Sequence, residues 1–286
     1  MVQGVVTRER MEKWKIVSPE EYGFHKVIVP GREDCQVAVM YRLNLAAGQR
    51  YELKPGGEEM NGVCIKGAAG LELAGHQYHC GRLDSFYTAG GNSVAIEAEA
   101  DCVFYIGASV DEGYGTPIFR AFNMHLPLGE IHQIHGKGVG QREVFMTLNQ
   151  EIQASRLIAG LTWGGNGAWT SWPPHQHEAD LEEIYCYFDM DEPHFGLHLS
   201  YTAPGDVDNI VAHPVKSGSM VLAPRGYHPT VASPGTRNAY FWVLAAHSHE
   251  SRGYDLAVLD PRLMLPSRTV MLVRCVMISA ASLSPS

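Results

Sequence analysis

Short apolar or alternating runs, separated by turn residues, recur along the whole chain. In the first half they occupy residues 35–45, 62–75, 93–99 and 102–108, with the turn sequences AAGQ, KPGGEE and TAGGN among them. In the second half the same rhythm returns in REVFMTLN, SRLIAGLTW, EEIYCYF, HFGLHLSY, NIVAHPV, SMVLAPRG and NAYFWVLAAH. Short runs between Gly- and Pro-rich turns are typical of strands in a sandwich or small barrel. The pattern therefore predicts an all-β protein.

The chain divides into two halves of similar length and strand rhythm. The segment from Asp111 to Glu143 is rich in Gly, His and Pro and has weak periodicity, so we interpret it as the crossover between them. We predict a duplicated β-barrel module, with one unit at residues 1–125, a second at residues 126–265 and a tail at residues 266–286. The stretches TRERMEKW and ESRGYDLAVLDP are the two modest helix candidates.

Composition narrows the classes of function. The net charge of −9 with 22 Lys and Arg, and the lack of any basic run, argue against a nucleic-acid surface. The six cysteines have no C-x-x-C pairs and fit buried, reduced thiols. The first 15 residues lack the apolar core of a signal peptide, and Arg268 and Arg274 interrupt the apolar tail. We expect a cytoplasmic protein with no membrane span, whose tail is an edge strand or is loosely attached.

The stretch SWPPHQHEADLEEIYCYF concentrates residue types that bind metals. Side chains of a strand alternate between its two faces, so His175 and His177 project to one side, and Glu183 and Tyr185 share a face of the following strand. About fifty residues on, a strand ends in a Pro and Gly turn and then presents His228. If these strands are neighbours, three imidazoles and one carboxylate meet in the interior of the second unit.

Such a mixed nitrogen and oxygen set suits Zn²⁺, Mn²⁺, Fe²⁺ or Ni²⁺ and differs from the all-thiolate sets of structural zinc. A metal in a solvent-reachable pocket polarises a carbonyl and holds a neighbouring hydroxyl, as aldose–ketose isomerisation requires for its enediolate. A general base must also move the proton. The sequence offers Glu182, Asp180, Tyr185, Tyr227 or a metal-bound hydroxide and does not rank them.

Two stretches resemble the cupin motifs. HQHEADLEE is similar to the first motif. GSMVLAPRGYHP is similar to the second motif, with one residue fewer before the histidine. Over residues 140–262 the amino-acid sequence resembles the bicupin isomerases of uronic acids. This family has one member in inositol breakdown and one in pectin breakdown. SWPPHQH and PRGYHPTVASPG are closer to the first member, and EIYCYFDM to the second. The resemblance implies two tandem cupin barrels, each a double-stranded β-helix or jelly roll, with the metal site in the second.

The resemblance also implies roles for particular residues. The implied metal ligands are His175, His177, Glu183 and His228, with zinc as the first choice. The motif spacing also allows Glu182 as the ligand, but Glu183 directly precedes the I-Y-x-Y run and is preferred. The catalytic candidates are Glu182, Tyr185, Tyr227 and Arg225.

The substrate that the resemblance implies is a sugar acid. The implied reaction converts 5-deoxy-D-glucuronate to 5-dehydro-2-deoxy-D-gluconate in myo-inositol catabolism. Arg225, three residues before His228, is the best placed cation to bind the carboxylate, and Arg237 is second; a surface arginine in a turn is the alternative. The other functions are an isomerase of 4-deoxy-5-hexosulose-uronate or another sugar acid, a cupin dioxygenase and a non-catalytic sugar-binding bicupin. We expect a homo-oligomer, because exposed barrel edges are often covered by a partner chain.

The remaining histidines and aromatics are interpreted as structural, since a lone histidine in a strand is more often a hydrogen-bonded core or surface residue than a ligand. The histidines in this group are His76, His79, His194, His198, His213, His247 and His249. Tyr185, Tyr187, Tyr227 and Trp172 also fit ordinary barrel packing.

Overall fold

The structure is a computed structural model, and it describes residues 6–263. These residues are almost entirely strands and turns, so the predicted all-β fold is confirmed. Their α-helix, α1 (Arg8–Glu12), starts after Thr7, whose side chain accepts a hydrogen bond from the Arg10 N–H. No helix in this part of the chain is both long and apolar enough to cross a membrane. Five of the cysteines are buried and unpaired, as predicted, and Cys275 lies outside the described residues.

The N-terminal half, as we call β2–β11, has two antiparallel sheets. Its strands are β2 (Gly23–Ile28), β3 (Val39–Leu45), β4 (Arg50–Leu53), β5 (Glu58–Lys66), β6 (Ala69–Leu73), β7 (His76–Cys80), β8 (Ser85–Thr88), β9 (Val94–Ala98), β10 (Cys102–Val110) and β11 (Ile118–Arg120). The larger sheet has the order β11-β8-β5-β10-β3-β2, and the smaller has the order β4-β9-β6-β7.

Hydrocarbon fills the space between these two sheets. Phe104 of the larger sheet and Leu71 and Ile96 of the smaller belong to one buried apolar cluster. The ring of Phe86 leaves no room for a side chain at position 62, where a Cβ on Gly62 would come within 2.3 Å of it. The interior of the N-terminal half is therefore packed apolar core.

The C-terminal half, as we call β12–β23, has larger and more varied sheets. Its strands are β12 (His132–His135), β13 (Arg142–Leu148), β14 (Leu157–Asn166), β15 (Trp169–Thr170), β16 (His175–Gln176), β17 (Leu181–Tyr187), β18 (Gly196–Ser200), β19 (Val211–Val215), β20 (Ser219–Ala223), β21 (Thr230–Ala232), β22 (Arg237–Ala246) and β23 (Val258–Leu259). Six of them join β1 (Lys15–Val17) in a seven-stranded sheet with the order β1-β20-β17-β22-β14-β13-β12. A four-stranded sheet has the order β15-β21-β18-β19, and β16 pairs with β23. Short 3-10 helices span Gly138–Gly140 and Val207–Asn209.

The two halves share an apolar core between their larger sheets. Tyr105 of β10 and Phe241 of β22 lie in the same buried cluster. A Cβ on Gly107 would lie 2.4 Å from the Val243 side chain, so only glycine permits this close approach. Near the chain start, β1 pairs with β20 of the C-terminal half. The unit boundary near residue 125 stays a prediction, but residues 15–17 belong by strand pairing to the later unit.

Two buried glutamates join the halves reciprocally. Glu59 of β5 accepts hydrogen bonds from the backbone N–H groups of Ser155, Arg156 and Leu157 in the C-terminal half. Conversely, Glu182 of β17 accepts the backbone N–H groups of residues 36–38 in the N-terminal half, at 2.7–3.0 Å. Each carboxylate satisfies three donors that the fold places around it.

One helix prediction is wrong and another holds in part. TRERMEKW contains α1. ESRGYDLAVLDP forms turns and the strand β23, because Val258 and Leu259 pair in the backbone with Gln176 and His175. Local spacing of apolar residues cannot reveal a pairing with a segment some eighty residues earlier. The predicted crossover at residues 111–143 contains β11 and β12, and the tail prediction for residues 266–286 lies outside the described residues.

Candidate metal centre

Three separate pieces of the C-terminal half carry the predicted ligands. His175 lies in β16, His177 directly follows it, and Glu183 lies in β17. His228 follows the turn after β20. In this turn Gly226 has φ +73°, and a Cβ added at Gly226 would lie 2.5 Å from the Tyr201 carbonyl oxygen. A side chain at position 226 would clash, so this glycine shapes the turn that presents His228.

The four predicted ligands meet. One ligand atom from each of His175, His177, Glu183 and His228 lies within 4.8 Å of all the others. Oε2 of Glu183 lies 3.0 Å from Nε2 of His177 and 3.1 Å from Nε2 of His228. His177, Glu183 and His228 are buried, and His175 is partly exposed, so solvent reaches the cluster on the side of His175.

The backbone fixes the orientation of all three imidazoles. Nδ1 of His175 lies 3.0 Å from the Pro173 carbonyl oxygen, and Nδ1 of His228 lies 3.0 Å from that of Gly226. Nδ1 of His177 lies 3.2 Å from the Leu181 carbonyl oxygen. A carbonyl only accepts, so in each ring Nδ1 carries the proton and Nε2 of the neutral ring presents a bare lone pair.

The charges in the cluster favour a bound cation. Burial, assisted by the neighbouring His228 and His177, lowers the pKa of His175 to about 3. Burial alone would raise the pKa of the Glu183 carboxyl, but the neighbouring rings of His177 and His228 outweigh it and hold that pKa well below its ordinary value. Nε2 of His228 is buried without a hydrogen-bond partner. Bare nitrogen lone pairs around an ionised carboxylate fit a divalent transition metal.

The chain segment around β23 holds two of the ligand-bearing pieces together. Asp260 donates its backbone N–H to the Pro174 carbonyl, beside His175. Its carboxylate accepts the Tyr201 hydroxyl and the Gly205 N–H, both at 2.8 Å. Tyr201 in turn stacks on Tyr227, which directly precedes His228, with ring centroids 5.1 Å apart. Asp260 therefore links the strand of His175 to the turn of His228.

We expect Asp260→Ala to weaken metal binding by about 10- to 100-fold, the usual effect of disturbing groups that orient ligands. The alanine methyl cannot accept the hydrogen bonds from Tyr201 and Gly205, so the two pieces lose their common anchor. Competition with a chelator measures the affinity. Asp208→Ala, at an exposed position of the same half, is the matched control. Equal affinities in the two variants would contradict this role.

Tyr185 is the predicted catalytic residue that lies beside the cluster. Its ring centroid is 5.8 Å from that of His228, and its hydroxyl donates to Ser171 Oγ at 3.2 Å. Burial, and then the charge of Glu183, raises the pKa of Tyr185 well above its ordinary value. Tyr185 is therefore a neutral hydrogen-bond donor next to the metal-type ligands.

Glu182 is not part of the cluster. Its carboxylate lies on the opposite face of β17 from Glu183 and is bonded to the backbone N–H groups of residues 36–38. The structure therefore does not bring Glu182 to the cluster, either as a general base or as a ligand in place of Glu183. Asp180 contacts the neighbourhood through its backbone, with its N–H bonded to the His177 carbonyl.

Arg225 and Tyr227 also have other partners. The Arg225 guanidinium lies 3.3 Å from Asp34 Oδ1, and Arg10 and Trp14 bind the same carboxylate. Asp34 uses one of the five N–H donors of the Arg225 guanidinium, and binding of a substrate carboxylate by Arg225 stays a prediction. The second choice, Arg237, is exposed at the start of β22.

Tyr227 packs against Tyr201, and within residues 6–263 the tyrosine ring in contact with the cluster is that of Tyr185. A direct catalytic role for Tyr227 is therefore not supported.

His198 and His213, interpreted from the sequence as structural, lie in the interior of the C-terminal half. Both are buried, and the ring centroid of His198 lies 4.9 Å from that of Tyr185 and 6.5 Å from that of His228. The available signal was alternation in β18, where His198 is in phase with the buried Gly196 and Ser200. That phase places His198 on the inner face.

The fold and the site together define a cupin-type, jelly-roll protein with a histidine–carboxylate cluster in its C-terminal half. The chain belongs to the KduI/IolB family, whose model matches residues 18–256. It is 30% identical over 218 residues to the 5-deoxy-glucuronate isomerase of Geobacillus kaustophilus (strain HTA426), covering 70% of this chain and 76% of that enzyme. It is 27% identical over 245 residues to the enzyme of the same name from Geobacillus thermodenitrificans (strain NG80-2), covering 80% and 87%. These relatives are isomerases.

Solved structures support the fold. An IolB-like protein from Salmonella typhimurium LT2 superposes with a TM-score of 0.74 at 22% identity, over 86% of this chain and 96% of that one. An oxalate decarboxylase superposes with a TM-score of 0.60 at 15% identity, over 93% and 83%. At these identities the likeness concerns the fold alone.

Proposed function

We propose that this chain is a metal-dependent aldose–ketose isomerase that converts 5-deoxy-D-glucuronate to 5-dehydro-2-deoxy-D-gluconate in myo-inositol catabolism. The observation that carries the proposal is the convergence of three imidazoles on the Glu183 carboxylate. The names of the relatives at 30% and 27% identity support the choice of substrate. A homo-oligomeric state and a cytoplasmic location remain part of the proposal.

The metal ligands in this proposal are His175, His177, Glu183 and His228, with zinc first and manganese, iron and nickel as alternatives. When bound, the metal supplies a Lewis acid for a carbonyl oxygen and the neighbouring hydroxyl. The backbone carbonyls of Pro173, Leu181 and Gly226 keep the three Nε2 atoms aimed at one point, so the chain needs little rearrangement to bind the ion.

In this proposal the Tyr185 hydroxyl, which donates to Ser171 Oγ in the structure, turns its one proton to the reacting oxygen. Moving a proton between neighbouring carbons develops negative charge on an oxygen, and a preorganised donor stabilises that charge. Because its pKa lies well above the ordinary value, the Tyr185 hydroxyl keeps its proton at neutral pH and cannot act as the resting base. Burial of the surrounding walls limits access of water to the reacting atoms.

The test incubates the zinc-loaded chain with 5-deoxy-D-glucuronate, 4-deoxy-5-hexosulose-uronate and D-glucuronate and follows loss of the aldehyde signal by NMR. We expect turnover of 5-deoxy-D-glucuronate without oxygen uptake, loss of activity on chelation and recovery with zinc. Full activity of a metal-free preparation would refute metal dependence. Oxygen uptake would indicate a dioxygenase, and binding without turnover a sugar-binding protein.

A further inference from the structure

The inner face of the four-stranded sheet in the C-terminal half carries several polar side chains beside the buried Val211 and Val215. His198 and Ser200 of β18, His213 of β19, Thr230 of β21 and Thr170 of β15 are all buried there. Strand alternation puts them on the side that faces the seven-stranded sheet. We call His198, Ser200 and His213 the polar wall.

The four-stranded sheet of the N-terminal half, β4-β9-β6-β7, has an apolar inner face. There Leu71 and Leu73 of β6 and Val94 and Ile96 of β9 occupy the inner face, and all four belong to the packed core. An interior of this size can therefore be closed with hydrocarbon alone. Burying polar residues in the equivalent place costs free energy, and the N-terminal half avoids this cost. We therefore expect the buried polar residues to bind a partner.

The polar wall has unused hydrogen-bonding capacity. Nε2 of His198, Oγ of Ser200 and Nε2 of His213 are buried without a hydrogen-bond partner. In the described part of the chain, the other two such side-chain atoms are Oδ1 of Asn238 and Nε2 of His228, also in the C-terminal half. Each buried polar atom without a partner destabilises the fold, so a cluster of them marks a place where a polar ligand belongs.

His198 is the member whose free atom is best defined. Its Nδ1 lies 2.9 Å from the Tyr187 hydroxyl, and that hydroxyl lies 2.9 Å from Thr230 Oγ1. This chain fixes the ring and uses one of its two nitrogens. Whichever nitrogen carries the proton, Nε2 can still form one hydrogen bond, either as donor or as acceptor. A hydroxyl group both donates and accepts, so it pairs with Nε2 in either case.

The polar wall continues directly from the metal-type cluster. The ring of His198 lies between the cluster and the second wall histidine, with its centroid 6.5 Å from that of His228 and 6.2 Å from that of His213. It also packs at 74° against the ring of Tyr185, with centroids 4.9 Å apart. The polar wall is therefore in direct ring contact with the residues that would hold a metal.

We propose that the polar wall is a hydroxyl-binding subsite for the part of a sugar acid that lies away from the metal, with His198 as its specificity-determining residue. The identity of the acid rests on the proposed function. The polar wall would form hydrogen bonds to the hydroxyl groups of the acid, which an apolar wall cannot do. It predicts that this protein prefers acids with a hydroxyl in reach of His198 over analogues that lack it.

The test compares His198→Leu with His198→Gln in the zinc-loaded full chain. Leucine removes the hydrogen-bonding atom, whereas glutamine keeps a polar atom at similar reach. We expect His198→Leu to raise both the KM and the calorimetric Kd for 5-deoxy-D-glucuronate at least tenfold, with metal content unchanged, and His198→Gln to stay within about threefold of the wild type. His132→Leu is the control, because both of its nitrogens already have partners, Leu126 and Glu143.

A second measurement uses the wild type, so it tests the proposal even if His198→Leu fails to fold. In the wild type, the Nε2 resonance of His198 in a ¹⁵N spectrum is expected to shift when 5-deoxy-D-glucuronate is added. Binding of the acid without a shift, or with an unchanged Kd in His198→Leu, would overturn the subsite. Binding with the expected shift but no turnover would defeat the proposed isomerisation and leave the subsite supported. Absence of any acid binding by the wild type overturns both.

Discussion

His177→Ala is expected to lose its bound metal and its isomerase activity while remaining folded. The substitution removes one of four converging ligand atoms, so metal affinity should fall by more than about 100-fold, beyond the usual effect of disturbing groups outside the ligand set. The strands on either side keep their backbone pairing, which preserves the sheet. Metal content by elemental analysis, activity by NMR and the far-ultraviolet circular dichroism spectrum provide the three readings.

His175→Ala is the companion variant, because His175 is partly exposed and its loss leaves a smaller buried void. His194→Ala, at an exposed histidine of the same half, is the control and should behave as the wild type. Normal activity in His177→Ala, or loss of activity with the metal still bound at one ion per chain, would contradict the proposed ligand set.

The second large effect is on stability. Glu182→Ala is expected to lower the free energy of unfolding by about 3–5 kcal/mol, because it leaves the backbone N–H groups of residues 36–38 without their acceptor at the junction of the halves. Glu182→Gln keeps one acceptor oxygen and should lose clearly less. Denaturation by urea, followed by circular dichroism and intrinsic fluorescence, measures the difference.

Glu59→Ala should produce a loss of similar size, since Glu59 has the reciprocal role and also accepts the Tyr87 hydroxyl. Glu72→Ala is the control, as its carboxylate makes an exposed ion pair with Arg50 and exposed pairs contribute little. If Glu182→Ala unfolds like the wild type but loses its activity selectively, Glu182 acts in catalysis and the joining role is wrong.

Local patterns predicted the strands and the convergence of four side chains, and the resemblance to the cupin motifs selected Glu183 over Glu182. Period-two alternation places His175 and His177 together, and the turn before His228 contains the glycine that the backbone requires there. Alternation also separates Glu182 from Glu183, but it does not say which of the two faces the interior. That choice depends on what packs against each face of β17, and the partners of Glu182 lie 144–146 residues earlier.

Long-range partners could not be predicted from local patterns. Arg225 stands near His228 in the sequence, yet its guanidinium pairs with Asp34, 191 residues away. The segment around Val258 has apolar spacing that suits a helix, and its pairing with β16 decides the strand. The sequence likewise carries no signal for the unpartnered Nε2 of His198, which depends on the strands packed around it.

Anomalous X-ray diffraction from crystals of the zinc-loaded chain tests the central claim most directly. We predict one strong zinc peak per chain, within coordination distance of Nε2 of His175, His177 and His228 and of a Glu183 carboxylate oxygen. Absence of a peak at this position, or a peak only elsewhere in the molecule, would contradict the account.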